Sequence, residues 1–475
     1  MKFLYISFLS FFLLCMTRVE GHSAILNTEE RNDSLFRIVK NMINAQNADS
    51  IYALLGDGFK AKFSKDQFTS ILKNNLYPHG TIGQTFFLTY KDGTSSYKAI
   101  CKEAILEFRI STDTQGKISG FRFLPYKEPV ATKNYTVATD NPMKTALDSQ
   151  VDFIARQYIN KVNTVGLSIG ILKEGRETIY GYGTTAKDNH QIPGAGSIYE
   201  IGSITKTFTA TLLAYYVLNH QVSLSDPITK YLPDSVATNK NLQGITLQML
   251  SNHTSGLTRM PDNLPLTKAD MMNPYKSYSK EKLFAYLKDC KLESTPGEKY
   301  AYSNLAVGLL GTILERVSGL SYEQMVKTII CQPLGMTSTY QHPDKEQTNN
   351  QVAVHNGKGD QIIMWDMDAL AGAGSIRSTI HDMLLYAHAN VTRDTTLLSR
   401  AIELTHKITS RKEMAVGLGW HLSSQADDVY FHSGLTGGCS TNITIAPEKH
   451  IAVVVLSNSF EDTEAVGESI FLKIR

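Results

Sequence analysis

The sequence predicts an α+β protein built from two units in one chain of 475 residues. This length exceeds what one ordinary core serves and suits two or three domains. Between Asp33 and Leu124, two amphipathic helical segments precede four strand-like runs. From Pro142 onward, strands at both ends of a long segment enclose mostly helical sequence. The first unit would be a small one, with helices followed by an antiparallel meander. The second would have an antiparallel sheet formed from both ends of the domain and a large helical insert. Both are α+β arrangements.

Composition and charge exclude several classes of function. Hydrophobic residues make up 42% and charged residues 19% of the chain, which indicates a globular protein. The net charge of +2 and the absence of a Lys/Arg run argue against nucleic-acid binding. The chain has no His-Glu-x-x-His run and no Cys-x-x-Cys pair, so we expect neither a metal nor a cofactor. We expect buried thiols at the scattered Cys101, Cys290, Cys331 and Cys439.

The first residues, 1–24, have the pattern of a secretory signal peptide. Met1 and Lys2 form a basic start, an apolar stretch runs to Met16, and small residues follow. The stretch is too short to span a bilayer, and no later segment is long and apolar enough. We therefore expect export to a periplasmic or extracellular space. A lipoprotein anchored at Cys15 is the alternative, which Leu14 disfavours.

Residues 28–126 are predicted to form the first unit. Helical periodicity from Asp33 and over 64–76 comes before strands at 85–90, 96–101, 104–111 and 118–124. The pattern resembles the cone-shaped, nuclear-transport-factor-like domains found beside many bacterial hydrolases. It carries no catalytic constellation, so a spacer or docking role is expected, with no partner identified. Residues 127–141 are polar and aperiodic and are predicted to be a linker.

Residues 142–475 are predicted to form the second unit. It opens with a helix at 146–162 and strands at 166–173 and 177–182, and it closes with strands near Tyr430, at 441–445 and at 451–457. Two serine motifs compete within it. Ser168 fits the Gly-x-Ser-x-Gly elbow, which needs a strand ending at the serine and a helix after it. Apolar residues instead alternate straight through Ser168, so a strand residue is the favoured interpretation.

Ser203 is the favoured nucleophile. It begins an apolar-periodic helix, and Lys206 lies on the same face one turn later. The helix N-terminus favours an oxyanion. A lysine kept neutral by burial can take the serine proton. Ser-x-x-Lys also occurs at Ser70, Ser95, Ser277 and Ser279, so the motif is informative only in this helical context.

The segment around Ser203 resembles the first signature of the class C β-lactamase family, which includes D,D-peptidases, D-aminopeptidases and esterases. That segment is Tyr199-Glu-Ile-Gly-Ser203-Ile-Thr-Lys206. Tyr302-Ser303-Asn304 resembles the second signature, and His432-Ser433-Gly434 the third. Further similar blocks are His253-Thr-Ser-Gly-Leu257, Pro333-Leu-Gly-Met336, Gly372–Ser378 and Gly417–Trp420. The resemblance covers nearly all of 145–475 in one order, and it implies a β-lactamase/transpeptidase-like fold.

The resemblance implies a role for each matching residue. Ser203 would form an acyl-enzyme, with Lys206 and Tyr302 sharing proton transfer and either one serving as the base. A phenol beside an ammonium would have a lowered pKa. The backbone N–H groups of Ser203 and Leu435 would form the oxyanion hole. Asn304, His432, Ser433 and Gly434 would bind substrate. An ordinary packed tyrosine at 302 is the alternative to the catalytic one, and His253 is expected to be structural.

The expected substrate is a small amide or ester: a β-lactam, a D-Ala-type peptide or an ester. His432 stands where the best-known β-lactamases have lysine, which weakens a strict β-lactamase interpretation. Because free histidine has a pKa of about 6.5, carboxylate substrates are expected to react relatively better at pH 6 than at pH 8. The alternative function is a non-catalytic penicillin-binding sensor or scaffold.

Overall fold

The computed structural model describes residues 28–126, 136–264, 272–424, 426 and 428–475. These residues form two compact units, one ending at residue 126 and one starting at residue 136. Both combine helices with antiparallel sheet, which confirms the predicted α+β class. The predicted signal peptide and residues 127–135 of the predicted linker lie outside the described residues.

The first unit is a four-stranded antiparallel sheet covered by helices. Its helices are α1 (Thr28–Asn44), α2 (Ala48–Ala53), α3 (Asp57–Lys60) and α4 (Lys65–Asn75). Its strands are β1 (Ile82–Lys91), β2 (Thr94–Cys101), β3 (Ile105–Thr112) and β4 (Ile118–Pro125), which pair in that order. Phe36 of α1 stacks on Tyr97 of β2 with ring centroids 4.0 Å apart. Large aromatic contacts of this kind anchor the helix to the sheet.

The second unit is organised around an eight-stranded antiparallel sheet. Its strands are β5 (Gly166–Lys173), β6 (Arg176–Gly183), β7 (Ile198–Glu200), β8 (Val354–His355), β9 (Gln361–Ile362), β10 (Arg377–Thr379), β11 (Ser410–Arg411), β12 (Ala415–Val416), β13 (His421–Leu422), β14 (Tyr430–Leu435), β15 (Ser440–Ala446) and β16 (Ile451–Ser457). The large sheet has the order β11-β12-β13-β14-β15-β16-β5-β6, while β7 pairs with β10 and β8 with β9. The first and last strands of the unit, β5 and β16, therefore pair within one sheet, as predicted.

Helices cover both faces of the large sheet. They are α5 (Ala146–Ile159), α6 (Thr205–Leu218), α7 (Asp234–Ala237), α8 (Leu247–Ser251), α9 (Lys280–Asp289), α10 (Asn304–Ser318), α11 (Tyr322–Met325), α12 (Gln332–Leu334), α13 (Lys345–Asn349), α14 (Ala371–Gly374), α15 (Ile380–Val391), α16 (Leu397–His406) and α17 (Glu464–Ile474). On one face α5 and α17 bury Leu167, Ile169 and Ile171 of β5. On the other face the larger core includes residues of α6, α10 and α15.

The predicted linker extends too far toward the second unit. Val137 is 4% exposed, and Thr139 forms a bridge with Tyr182 of β6. The side chain of Asn141 donates to the hydroxyl of Tyr182 at 2.7 Å and to the carbonyl of Asp148. Residues 136–141 therefore belong to the second unit, because their few apolar and amide groups find partners on it.

Two further observations concern the described residues alone. Cys101, Cys290, Cys331 and Cys439 are buried and free, in agreement with the expected buried thiols. In the described part of the chain, no helix combines the length and apolar character needed to cross a membrane.

Candidate active site

Ser203 lies where a short strand turns into a helix. Strand β7 ends at Glu200, a 3₁₀ turn spans Gly202–Ile204, and α6 begins at Thr205. Gly202 has φ +51°, and a Cβ there would lie 2.9 Å from the backbone nitrogen of Leu435. Only glycine fits both the left-handed backbone and this close approach. The turn therefore brings Ser203 directly beside the end of β14.

Lys206 places its amine against the serine hydroxyl. Its Nζ lies 2.8 Å from the Oγ of Ser203 and donates to the carbonyl of Ala373 at 2.7 Å. The Lys206 side chain is completely buried. Burial, and then the positive charge of Arg259, lower its pKa well below the usual value of 10.5. A neutral amine beside a serine hydroxyl is suited to accept its proton.

Tyr302 lies at the same point, immediately before α10. The Nζ of Lys206 is 4.9 Å from the centroid of its ring. Burial raises the pKa of Tyr302 to about 12, although a hydrogen bond with Ser203 and the charge of Arg259 partly offset that rise. The expectation of a lowered pKa is therefore wrong, since burial outweighs the nearby charge of Arg259. At neutral pH the phenol is protonated and can donate a hydrogen bond.

Two loops hold Tyr302 in place. The N–H of Ser303 donates to Nδ1 of His253 at 3.2 Å, and the hydroxyl of Ser303 donates to the carbonyl of Thr258 at 2.7 Å. The N–H of Asn304 donates to the carbonyl of Arg259 at 3.0 Å. The ring of His253 lies 4.4 Å from that of Tyr302. His253 thus bridges the two loops, which fits the structural role expected for it.

Strand β14 places His432 and Ser433 on opposite faces of the sheet, because successive strand residues alternate. The ring of His432 lies 6.3 Å from that of Tyr302. The hydroxyl of Ser433 instead donates to the carboxylate of Glu464 on α17 at 2.8 Å. The side chain of Ser433 therefore faces away from the nucleophile, and a role of this residue in substrate binding stays a prediction.

The surroundings of His432 favour its neutral form. It is 1% exposed, and its Nδ1 donates to the carbonyl of Ser433 at 2.8 Å. Burial, followed by the charges of His421 and Lys206, holds its pKa well below 6.5. This direction runs against the expectation that His432 changes charge between pH 6 and 8, because burial disfavours the charged imidazolium.

Gly434 is the point where β14 passes closest to the nucleophile segment. A Cβ there would lie 2.1 Å from the carbonyl oxygen of Ile201, so any side chain would push the strand away. Thr441 of β15 donates to that same carbonyl at 2.9 Å. Leu435, the next residue, lines one cleft together with Ser203. The two predicted oxyanion donors therefore belong to adjoining segments.

The cleft in front of Ser203 is narrow, with a cavity volume of about 30 Å³. Its walls are mainly aromatic and aliphatic, with one side-chain amide. The lining residues are Gly202, Ser203, Tyr275, Asn304, Trp365, Met367, Leu370, Ala373, Gly374 and Leu435. The rings of Tyr275 and Trp365 meet edge to face at 5.3 Å. Such a cleft suits a small, partly apolar substrate.

Glu200 connects two walls of the cleft from behind. This buried carboxylate accepts the N–H of Trp365 at 2.5 Å and the hydroxyl of Thr436 at 2.7 Å. Burial raises its pKa to about 7. Thr436 follows Leu435, so a single side chain ties the Trp365 segment to the end of β14.

Ser168, the rival nucleophile, lies in the core. It is fully buried within β5, and its hydroxyl shares a 2.9 Å hydrogen bond with that of Tyr199. The strand continues through Ser168, and a turn rather than a helix follows β5. The elbow interpretation is therefore wrong.

Sequence reasoning missed several residues that the fold brings to the site. Arg259 lies two positions after the His253–Leu257 block. Glu200 lies inside the Tyr199–Lys206 block, so both residues are close to recognised motifs. Trp365 is one of only two tryptophans in the chain. Trp365 lies outside the motifs recognised in the sequence, so no pattern indicated its role.

Comparisons relate the second unit to known proteins. A family model described as Beta-lactamase matches residues 151–472. A beta-lactamase from Pseudomonas fluorescens is 26% identical in an alignment over 356 residues that covers 68% of this chain and 94% of that protein. The D-alanyl-D-alanine-carboxypeptidase/endopeptidase AmpH of Escherichia coli (strain K12) is 28% identical over 328 residues, covering 65% of this chain and 83% of that protein. A solved class C beta lactamase matches with TM-score 0.62 at 25% identity, covering 69% of this chain and 98% of that chain.

Proposed function

The chain belongs to the beta-lactamase family and is a serine hydrolase, and we propose that it acts through an acyl-enzyme formed on Ser203. The observation that carries this proposal is the 2.8 Å separation between the Ser203 hydroxyl and the buried amine of Lys206. This pairing supplies a nucleophile and a base within one helical turn. The alternative of a non-catalytic sensor would not need such a pair.

In the first step the Oγ of Ser203 attacks the substrate carbonyl carbon, and its proton passes to the neutral amine of Lys206. The lowered pKa of Lys206 favours this assignment of the base, whereas the raised pKa of Tyr302 disfavours the phenol in that role. The negative charge that develops on the carbonyl oxygen is stabilised by the backbone N–H groups of Ser203 and Leu435.

In the second step the bond to the leaving nitrogen or oxygen breaks. The leaving atom takes a proton from the hydroxyl of Tyr302, which recovers one from the ammonium of Lys206. Water then attacks the ester on Ser203 and loses a proton to the same groups, and Ser203 regains its hydroxyl. The amide of Asn304, on the cleft wall, holds the substrate in the orientation this sequence requires.

The substrate class we propose is a small amide or ester: a β-lactam, a D-Ala-type peptide or an ester. The aromatic and aliphatic lining of the cleft supports a compact acyl group. The names of two relatives, a beta-lactamase and a D-alanyl-D-alanine-carboxypeptidase/endopeptidase, lie within this class. We further propose that the protein is exported, on the signal-peptide pattern of residues 1–24.

Intact-mass measurement tests the proposal. The protein is incubated separately with a p-nitrophenyl ester, a β-lactam, a D-Ala-D-Ala peptide and a fluorophosphonate probe. We expect the probe to add one adduct to Ser203 and at least one substrate to be hydrolysed. Ser203→Ala should lose both, whereas Ser168→Ala is the matched control and should keep both. A probe adduct on Ser168, or a Ser203→Ala variant that reacts normally, would overturn the proposal.

A further inference from the structure

Arg259 holds a guanidinium against the ring of Tyr302. Its Cζ lies 5.0 Å from the ring centroid, within the range of a cation–π contact. The side chain is exposed. Its backbone carbonyl accepts the N–H groups of Asn304 and Leu305 at 3.0 and 3.3 Å. The same loop that fixes the start of α10 therefore fixes Arg259 at the rim of the site.

Among the described residues around the cleft, Arg259 is the cation best placed to bind an anionic group of a substrate. None of the described residues that line the cleft carries a charged side chain. Lys206 is buried and already bonded to Ser203 and Ala373. His432 is also buried, which disfavours its charged form. Arg259, by contrast, is an exposed cation and forms no ion pair within the described part of the chain.

The electric field of Arg259 reaches the reacting groups. After burial, its charge is the next cause that lowers the pKa of Lys206. It also opposes the burial that raises the pKa of Tyr275, a residue of the cleft wall. A guanidinium that acts on both the nucleophile's base and the cleft wall is close enough to attract a charge on bound substrate.

We propose that Arg259 is a specificity-determining residue that binds a carboxylate on the leaving half of the substrate. The inference rests on the proposed function, in which Tyr302 protonates the leaving atom. The leaving half must therefore lie against Tyr302, on whose ring Arg259 is packed. A carboxylate a few bonds from the leaving atom falls within reach of the guanidinium, which can bind it through two parallel hydrogen bonds.

Two chromogenic esters separate this inference from the proposed function. They are the acetyl esters of 4-nitrophenol and of 3-carboxy-4-nitrophenol, which share the acyl group and differ by a carboxylate on the leaving group. The measured quantity is the ratio of kcat/KM for the carboxylated ester to that for the neutral ester. Changes in the shared chemistry, including a shift in the pKa of Lys206, largely cancel in this ratio.

We expect Arg259→Gln to lower the ratio about 10- to 100-fold, because a hydrogen bond to a charged group is lost. Arg259→Lys should recover part of the loss, since it restores the charge but not the planar guanidinium that can form two parallel hydrogen bonds. Arg400→Gln removes an exposed arginine of α16 and should keep the natural ratio. In the unaltered protein the ratio should also fall as NaCl is raised to about 0.5 M, where screening is strong.

The results distinguish a failure of the Arg259 inference from a failure of the proposed function. A ratio that is the same in the unaltered protein and in Arg259→Gln overturns the inference while leaving the acyl-enzyme on Ser203 intact. If Arg259→Gln fails to fold, a salt-independent ratio in the unaltered protein overturns it equally. Failure of the unaltered protein to hydrolyse the neutral ester and every other substrate would instead contradict the proposed function.

Discussion

The amine of Lys206 lies 2.8 Å from the hydroxyl oxygen of Ser203, inside a site where the lysine has no exposed surface. One helical turn sets the spacing, and burial favours the neutral amine that the proposed mechanism requires, since it disfavours the ammonium form. The same burial costs folding stability whenever the unfolded chain would carry the proton. Function and stability are therefore coupled at this side chain.

Lys206→Met should abolish most activity and change how stability depends on pH. Loss of a positioned proton acceptor typically costs on the order of 10²–10⁴ in kcat. The folded pKa of Lys206 is lowered below its unfolded value, so the unfolded state binds more protons between the two values and stability rises with pH there. Between these pKa values, the free energy of unfolding of the variant should increase with pH by up to about 1.4 kcal/mol per pH unit less than that of the unaltered protein.

Denaturant unfolding of both proteins at pH 7 and pH 8 measures the effect. The two proteins share every other titrating group, so the difference between their pH dependences reports the contribution of Lys206. Parallel pH dependences for Lys206→Met and the unaltered protein would mean that the lysine is charged in the folded state.

Tyr302→Phe should harm amide substrates far more than activated esters. With a pKa of about 12 the phenol is a proton donor at neutral pH, and an amine leaving group needs that proton whereas nitrophenolate does not. We expect a loss on the order of 10²–10⁴ in kcat for an amide and a much smaller loss for a p-nitrophenyl ester. The melting temperature should change little, because the contact with His253 is kept. Equal losses for both substrates would contradict the donor role.

His432 should not titrate between pH 6 and pH 8. Its pKa, and that of His421 at about 4, are lowered by burial first, so both rings should stay neutral in this range. NMR of ¹⁵N-labelled histidine rings, with His432→Gln used for assignment, measures this directly. As a consequence, the preference for a carboxylate substrate over a neutral ester should be the same at pH 6 and pH 8. A His432 resonance that shifts with a midpoint near 6.5 would refute this expectation.

Glu200→Gln should loosen the cleft and remove a pH-dependent contribution to the free energy of unfolding. The pKa of Glu200 is raised to about 7, so its stabilising contribution is present below its unfolded value and is lost as pH rises through 7. Between pH 5 and pH 7 the unaltered protein should therefore lose up to about 1.4 kcal/mol per pH unit relative to the variant. The kcat/KM should drop about tenfold, because Gln cannot accept from both Trp365 and Thr436. Unchanged kinetics would show that these two contacts do not position the cleft.

Two truncations test where the second unit begins. A chain starting at Thr136 should fold and hydrolyse p-nitrophenyl esters at the rate of the full protein. A chain starting at Pro142 should be less stable by about 2–4 kcal/mol, since it loses buried Val137 and the hydrogen bonds of Thr139 and Asn141. Thermal unfolding of the two chains compares them. If only the full chain is active, the first unit must contribute to the site.

Much of the fold and part of the site follow from local sequence. The helix after Ser203, the strands at 166–173 and 451–457, and the order of the three motifs are all visible because helical and strand periodicities are short-range. The spacing from Ser203 to Lys206 also fixes their contact without reference to any other segment. The family and the identity of the central pair were therefore readable from the chain alone.

The tertiary structure decided the electrostatics and the walls of the cleft. Whether Tyr302 loses or keeps its proton depends on burial by segments far away in sequence, and neighbouring charges proved the smaller effect. The sheet face that Ser433 occupies is set by the register of β14 against β15. Arg259 and Trp365 reach the site through loop packing, and the contacts of Glu200 with Trp365 and Thr436 join segments that are distant in sequence. These features escape the sequence because burial and long-range contacts, unlike periodicity, are properties of the assembled chain.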